Sequence, residues 1–258
     1  MTPIDFPCAG ETLFGTLHEG VHSNGMIIVT GGTQVRAGPQ RLFARLGQDL
    51  SASGFPVLRF DRRGVGDSGG DDPGFLSSSQ DIKAAATALR QRQPNVSRIF
   101  GLGLCDGATA LTLSPGPVDE LILLNPWIID EEGPPPAAAI TAHYRRRLLQ
   151  PAAWRRIITG RANPLAALKG LFSAAAPSSA GNLELRVVAA LSAHATPAHL
   201  LLSSRDRTAD VFRPVAKRLS ARFATINQIE ADHAFSHPDS YAALLSAVAN
   251  ILSDVGRD

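Results

Sequence analysis

The stretch Arg98-Ile-Phe-Gly-Leu-Gly-Leu-Cys105-Asp-Gly-Ala-Thr-Ala-Leu111 leaves its backbone few choices. Ile99 to Leu102 reads as a short buried strand, Gly103-Leu-Cys105-Asp-Gly107 as a sharp turn, and the Ala, Thr and Leu after it as a helix. Glycines on both sides of the turn let the chain close on itself while Cys105 stands out at the end of the strand. The positive end of the following helix faces that side chain, so a thiolate there, or an oxyanion developing beside it, is expected to be favoured. A buried apolar cysteine in an ordinary strand-to-helix turn fits the same letters, and the turn alone leaves both readings open.

A buried strand needs neighbours, and the sequence supplies them. Glu11 to His18 alternates apolar and polar residues, as an antiparallel strand with one wet face does. Gly25 to Val29, Phe55 to Phe60, Val118 to Leu124, His199 to Ser203 and Phe223 to Ile229 are further strand-length apolar runs. Helical spacing recurs between them in Pro39 to Ser53, Ser77 to Gln93, Asp210 to Ser220 and Tyr241 to Leu252. Strands separated by helices of this length predict an α/β fold with a mostly parallel, doubly wound sheet. The pattern breaks after Trp127. Glu131 to Pro136 is a stiff turn, and from Ala137 to about Ala195 the chain reads as helical and Arg-rich with no strand. The expected organisation is a core of residues 1–127 and 196–258 and an inserted helical cap of residues 128–195. Arg145, Arg146 and Arg147, with Trp127, are candidate substrate contacts, and the arginines read equally as a solvated face.

Composition narrows the function classes. A net charge of +2 over 258 residues argues against nucleic acid. No apolar run approaches the roughly 20 residues that span a bilayer, and the N-terminus lacks the pattern of a secretory leader, so a cytoplasmic protein is expected. Cys8 and Cys105 are too few for a disulfide framework, and Cys8, near the terminus, reads as inert. His18, His22, His143, His194 and His199 have no acidic or thiol partner at ligand spacing, so neither metal nor cofactor is expected.

Three loops carry the remaining signals. Thr30-Gly31-Gly32-Thr33 ends a buried strand and reads either as an oxyanion-binding turn or as a plain connection. Asp61-Arg-Arg-Gly-Val-Gly-Asp-Ser-Gly69 has glycine spacing that fits no dinucleotide site and reads as loop architecture. Asp206 and His233 each follow a strand, at the sheet edge where open α/β folds bind ligands. A cysteine nucleophile needs a base and a carboxylate to orient it, and these two supply that pair. Asp210 competes for the acid role and His237 for the base, while Asp232 reads as a structural hydrogen-bonder.

The order nucleophile, acid, histidine, together with Arg59-Phe-Asp61-Arg-Arg63-Gly64-Val-Gly66-Asp-Ser68-Gly, Gly-Leu-Cys-Asp-Gly and Ala231-Asp-His233, resembles the α/β-hydrolase superfamily over essentially the whole chain. More narrowly, it resembles hydrolase 1 of exosortase A systems, a group found with exopolysaccharide genes. The resemblance implies Cys105 as nucleophile, Asp206 as acid and His233 as base, with oxyanion N–H groups from Asp106 and from Gly32 or Thr33. It also implies a small-molecule ester or thioester substrate. The chain departs from the common pattern in carrying Cys for Ser at the turn and Gly31-Gly32 where His-Gly is usual. Acyl transfer to an alcohol or sugar hydroxyl is the alternative activity, and a binding protein on the same scaffold is the non-catalytic one.

Overall fold

The computed structural model describes residues 1–130, 182–193 and 195–254. The strands are β1 (Thr2–Cys8), β2 (Glu11–His18), β3 (Asn24–Val29), β4 (Val57–Phe60), β5 (Arg98–Leu104), β6 (Glu120–Leu124), β7 (Ala198–Ser203) and β8 (Phe223–Ile229). Among the described residues they form a single sheet in the order β1-β2-β4-β3-β5-β6-β7-β8. β1 and β2 are antiparallel to their neighbours, and every pairing from β4 to β8 is parallel. The helices are α1 (Leu42–Ala52), α2 (Ser79–Arg92), α3 (Asp106–Leu113), α4 (Asn182–Ala193), α5 (Arg207–Arg218) and α6 (Pro238–Ser253). This is the expected α/β-hydrolase architecture. None of the described helices is long and apolar enough to cross a membrane.

The two faces of the sheet are sorted residue by residue. In β3, Met26 and Ile28 pack with α1 and α6, while Ile27 and Val29 pack on the side of α2, α3 and α5. Both faces are buried because a parallel strand presents alternate side chains to the two helical layers. α4, the described tail of the span from 128 to 195, packs Leu183, Val187 and Leu191 into the same core as α3. The remainder of that span, with Arg145, Arg146 and Arg147, lies outside the described residues.

Two readings of the sequence are corrected. Cys8 does not sit on a loose end: β1 is a full edge strand, and the thiol is buried against α2 with Sγ donating to Asp81 Oδ1 at 3.2 Å. Burial and the Asp81 carboxylate push its pKa up to about 11, and both disfavour the thiolate. His199 does have an acidic partner. Its Nε2 lies 2.8 Å from Glu120 Oε2 and its Nδ1 3.0 Å from Thr225 Oγ1, inside the sheet, with Arg98 pairing the same carboxylate at 2.6 Å. That cluster belongs to the amino-terminal parts of β5 and β6, at the opposite edge from the loops that follow.

Candidate active site

Cys105 joins β5 to α3 with φ 56° and ψ −119°, a conformation that side-chain-bearing residues rarely hold. Its neighbours impose it. The Cys105 N–H donates to the Leu124 carbonyl at 2.9 Å, and the Cys105 carbonyl accepts from Thr109 N–H at 3.1 Å and Trp127 N–H at 3.4 Å. A Cβ on Gly103 would lie 2.4 Å from the Gly107 carbonyl carbon, and one on Gly107 would lie 2.2 Å from the Val29 oxygen. The two glycines are therefore demanded by contact as well as by the turn, since α3 can reach β3 and β5 this closely only without side chains there.

The acid and the histidine come from the loops after β7 and β8, which are bonded to each other. Ser204 N–H donates to the Ile229 carbonyl at 2.8 Å and Arg205 N–H to the Ala231 carbonyl at 2.9 Å. Asp206 caps α5, taking the Ala209 N–H on Oδ2 at 3.0 Å, and the same oxygen lies 3.1 Å from His233 Nδ1. Burial pulls the Asp206 pKa up, but the bonds from His233 and the helix amides outweigh it and leave the carboxyl below its ordinary value. His233 moves the other way: the hydrogen bond to Asp206 raises it, against burial. Its imidazole is 36% exposed, so it faces the open edge while its acid is covered.

Burial, then the charge of Asp106, push the Cys105 pKa up to about 12, although the Asp106 N–H directed at the sulfur pulls it down. Sγ contacts Asp106 Oδ1 at 3.7 Å. The helix end is present, but burial and a carboxylate at its first position act against it at the neighbouring sulfur. Asp206 also raises the thiol and Asp106 also raises His233, so the three predicted groups share one field.

The Gly31-Gly32 loop lies against this turn. A Cβ on Gly31 would sit 2.7 Å from Asp106 Cβ, and one on Gly32 3.5 Å from Asp106 Oδ2. Gln34 N–H donates to the Gly31 carbonyl at 3.1 Å, closing a four-residue turn with Gly32 at φ 50°. Among the described residues, neither the Gly32 nor the Thr33 N–H donates to a protein acceptor.

Residues singled out only as loop architecture turn out to hold that turn. Arg62, fully buried, donates from Nη2 to the Gly32 carbonyl and from Nη1 to Asp72 Oδ1 at 3.1 Å and Ser78 Oγ at 3.3 Å. Asp61, also fully buried, takes Arg36 N–H at 2.5 Å and pairs with the Arg36 guanidinium. Asn125, which sequence reasoning passed over, binds both the N–H (2.8 Å) and the hydroxyl (2.9 Å) of Ser203 and so fixes the ends of β6 and β7. A polar residue between an apolar strand and a proline was its one signal.

Trp127 is half-buried and lines a cavity of about 530 Å³ with Phe75, Leu76, Ile129, Leu183 and Arg186. Among the rivals, Asp210 sits 3.3 Å from Arg213, His237 caps α6 with its ring 64% exposed, and Asp232 accepts from Ser236 within its own loop.

Residues 27–245 match the model of the alpha/beta hydrolase family. No curated protein matches in sequence. Similar solved structures include an esterase of Pyrococcus furiosus (17% identity, TM-score 0.66, covering 98% of this chain and 90% of that one). Another is Est1E of Butyrivibrio proteoclasticus bound to ferulic acid (17%, 0.63, 97% and 98%), and a third is the thioesterase domain of the curacin biosynthetic pathway (16%, 0.59, 96% and 99%). These likenesses reach the family and its fold, and do not extend to the narrower exosortase-associated group.

Proposed function

Because the chain belongs to the alpha/beta hydrolase family, we propose that it hydrolyses a carboxylic ester or thioester, with Cys105 as nucleophile, His233 as base and Asp206 as the acid that orients it. The observation that carries this reading is the bond of 3.1 Å from His233 Nδ1 to Asp206 Oδ2, on the sheet edge where the strained turn presents Cys105. That bond leaves Nε2 of His233 as the nitrogen able to take a proton. Esterases and a thioesterase are among the similar folds, which fits the same class of bond.

Burial and the Asp106 charge raise the Cys105 pKa, which favours attack coupled to proton transfer to His233, as with a hydroxyl nucleophile. The sulfur adds to the carbonyl carbon, His233 takes the thiol proton, and the N–H groups of Asp106 and of Gly32 or Thr33 receive the oxyanion. Collapse expels the alcohol or thiol with the proton from His233, leaving a thioacyl enzyme that water cleaves by the reverse roles. The cavity beside Trp127 gives an apolar group of the substrate a place to lie.

Aryl esters and acyl thioesters of graded chain length test the reading. Cys105→Ala is expected to lose several orders of magnitude in kcat. His233→Ala is expected to lose kcat comparably and to gain no acyl mass on Cys105 in the intact protein, because the thiol then keeps its proton. A folded Cys105→Ala enzyme that still turns these substrates over removes the assignment.

A further inference from the structure

We infer that Arg62 is a positioning residue that fixes the direction of the Thr33 N–H as an oxyanion donor, by holding the Gly32 carbonyl from inside the protein. The inference deepens the reading of Cys105 as an acyl-transfer nucleophile and rests on it. It starts from the turn Gly31–Gln34, whose central peptide joins Gly32 to Thr33. In a trans peptide the carbonyl and the following N–H point in opposite directions. Arg62 is fully buried, so its grip draws the Gly32 oxygen inward. The Thr33 N–H must then face outward, to the open side of the loop, where Thr33 is exposed and Gly32 approaches Asp106 beside the thiol.

The turn has little else to set that direction. Glycine at its second position has no Cβ to restrict its ψ, which together with the Thr33 φ turns the central peptide plane. Gly32 stands at φ 50°, on the positive side, with Arg62 on its oxygen. The residue is also costly for a purely structural clamp. A fully buried guanidinium is retained although, among the described residues, its Nε has no acceptor and its charge is met by one partly exposed carboxylate, Asp72. A cation on the carbonyl does what a neutral donor does not: it polarises the amide and makes its N–H a stronger donor to a negative oxygen.

The test separates oxyanion chemistry from general damage to the site. Arg62→Lys and Arg62→Met are compared with the parent in three readouts: turnover of an aryl ester, inhibition by an aldehyde, and alkylation of Cys105 by iodoacetamide. The aldehyde forms a hemithioacetal by adding the Cys105 sulfur to its carbonyl carbon, with the thiol proton ending on the new oxygen or on His233. Alkylation forms a carbon–sulfur bond with loss of iodide and develops no carbonyl oxyanion. Arg62→Met is expected to lower kcat by about 10²-fold, the size of losing one oxyanion donor, and to weaken aldehyde binding by a similar factor. KM and the alkylation rate should stay within about threefold, and Arg62→Lys should fall between. Equal loss in aldehyde binding and alkylation, or no loss in either, overturns the role.

Should Arg62→Met fail to fold, Asp72→Asn and Ser78→Ala leave the guanidinium in place while loosening it, and must give the same split at smaller size. An even response in those variants overturns the inference equally. An active Cys105→Ala would remove the underlying nucleophile reading. An inactive one, beside Arg62 variants with intact kcat and aldehyde binding, removes only the part assigned to Arg62.

Discussion

Asp106 is the residue that separates this site from a cysteine hydrolase working through a preformed thiolate. Its carboxylate lies 3.7 Å from the sulfur and adds to burial in holding the proton on. Asp106→Asn removes that charge and keeps the shape, so the thiol pKa should fall and alkylation of Cys105 by iodoacetamide at pH 7 should accelerate by about tenfold for each unit of fall. An unchanged rate would mean that burial alone sets the protonation. Cys105, Asp206 and His233 were legible in the sequence because each directly follows an apolar strand, so topology alone places them on one edge. Arg62 was not legible. Its contact with Gly32 joins two loops that are distant in sequence, and no spacing rule connects them. The upward push on the thiol pKa was not legible for a related reason: the helix dipole is visible in the letters, whereas the burial of the sulfur and the direction of the Asp106 side chain are not.

At the scale of elements, the strand-turn-helix unit from β5 to α3 depends on glycines that face backbone. Gly107→Ala would drive a methyl into the Val29 oxygen, which sits in the next strand and cannot withdraw without disturbing the sheet. Destabilisation of about 3 kcal/mol or more is expected in urea unfolding, the upper end for an overpacked core. Gly10→Ala offers a comparison, because there a Cβ meets nothing within 4 Å and only the φ of 89° is adverse. Gly107 itself holds no left-handed φ, so a loss there no larger than at position 10 would show that the Val29 backbone yields to the methyl. Most elements were legible from apolar periodicity, and β8 agrees to the residue. β1 was missed because Pro3 and Pro7 interrupt it, which an edge strand tolerates where a central one does not. α5 was read as starting at Asp210, but Asp206 is its cap, so one residue both opens the helix and orients the histidine.

The whole molecule should respond to acid through a buried histidine away from the site. His18 Nε2 accepts from Arg59 Nε at 3.1 Å, and burial followed by the Arg59 charge lowers its pKa to about 4. Between the ordinary histidine value and about 4, the unfolded chain takes up a proton that the folded one refuses, so stability falls as pH falls through that window. The limit is about 1.4 kcal/mol per pH unit. His18→Gln, which keeps an acceptor for Arg59, should flatten this part of the urea midpoint against pH, and an unchanged slope would place the acid sensitivity elsewhere. A different tension is built into the backbone at Cys105. Any side chain at φ 56° costs on the order of 1–3 kcal/mol there, and only glycine escapes it. Evolution under pressure for folding alone would drift toward glycine at that position, as would a laboratory screen for heat resistance run without an activity filter. The most durable descendants of this chain would then be those that had lost the sulfur on which the proposed reaction depends.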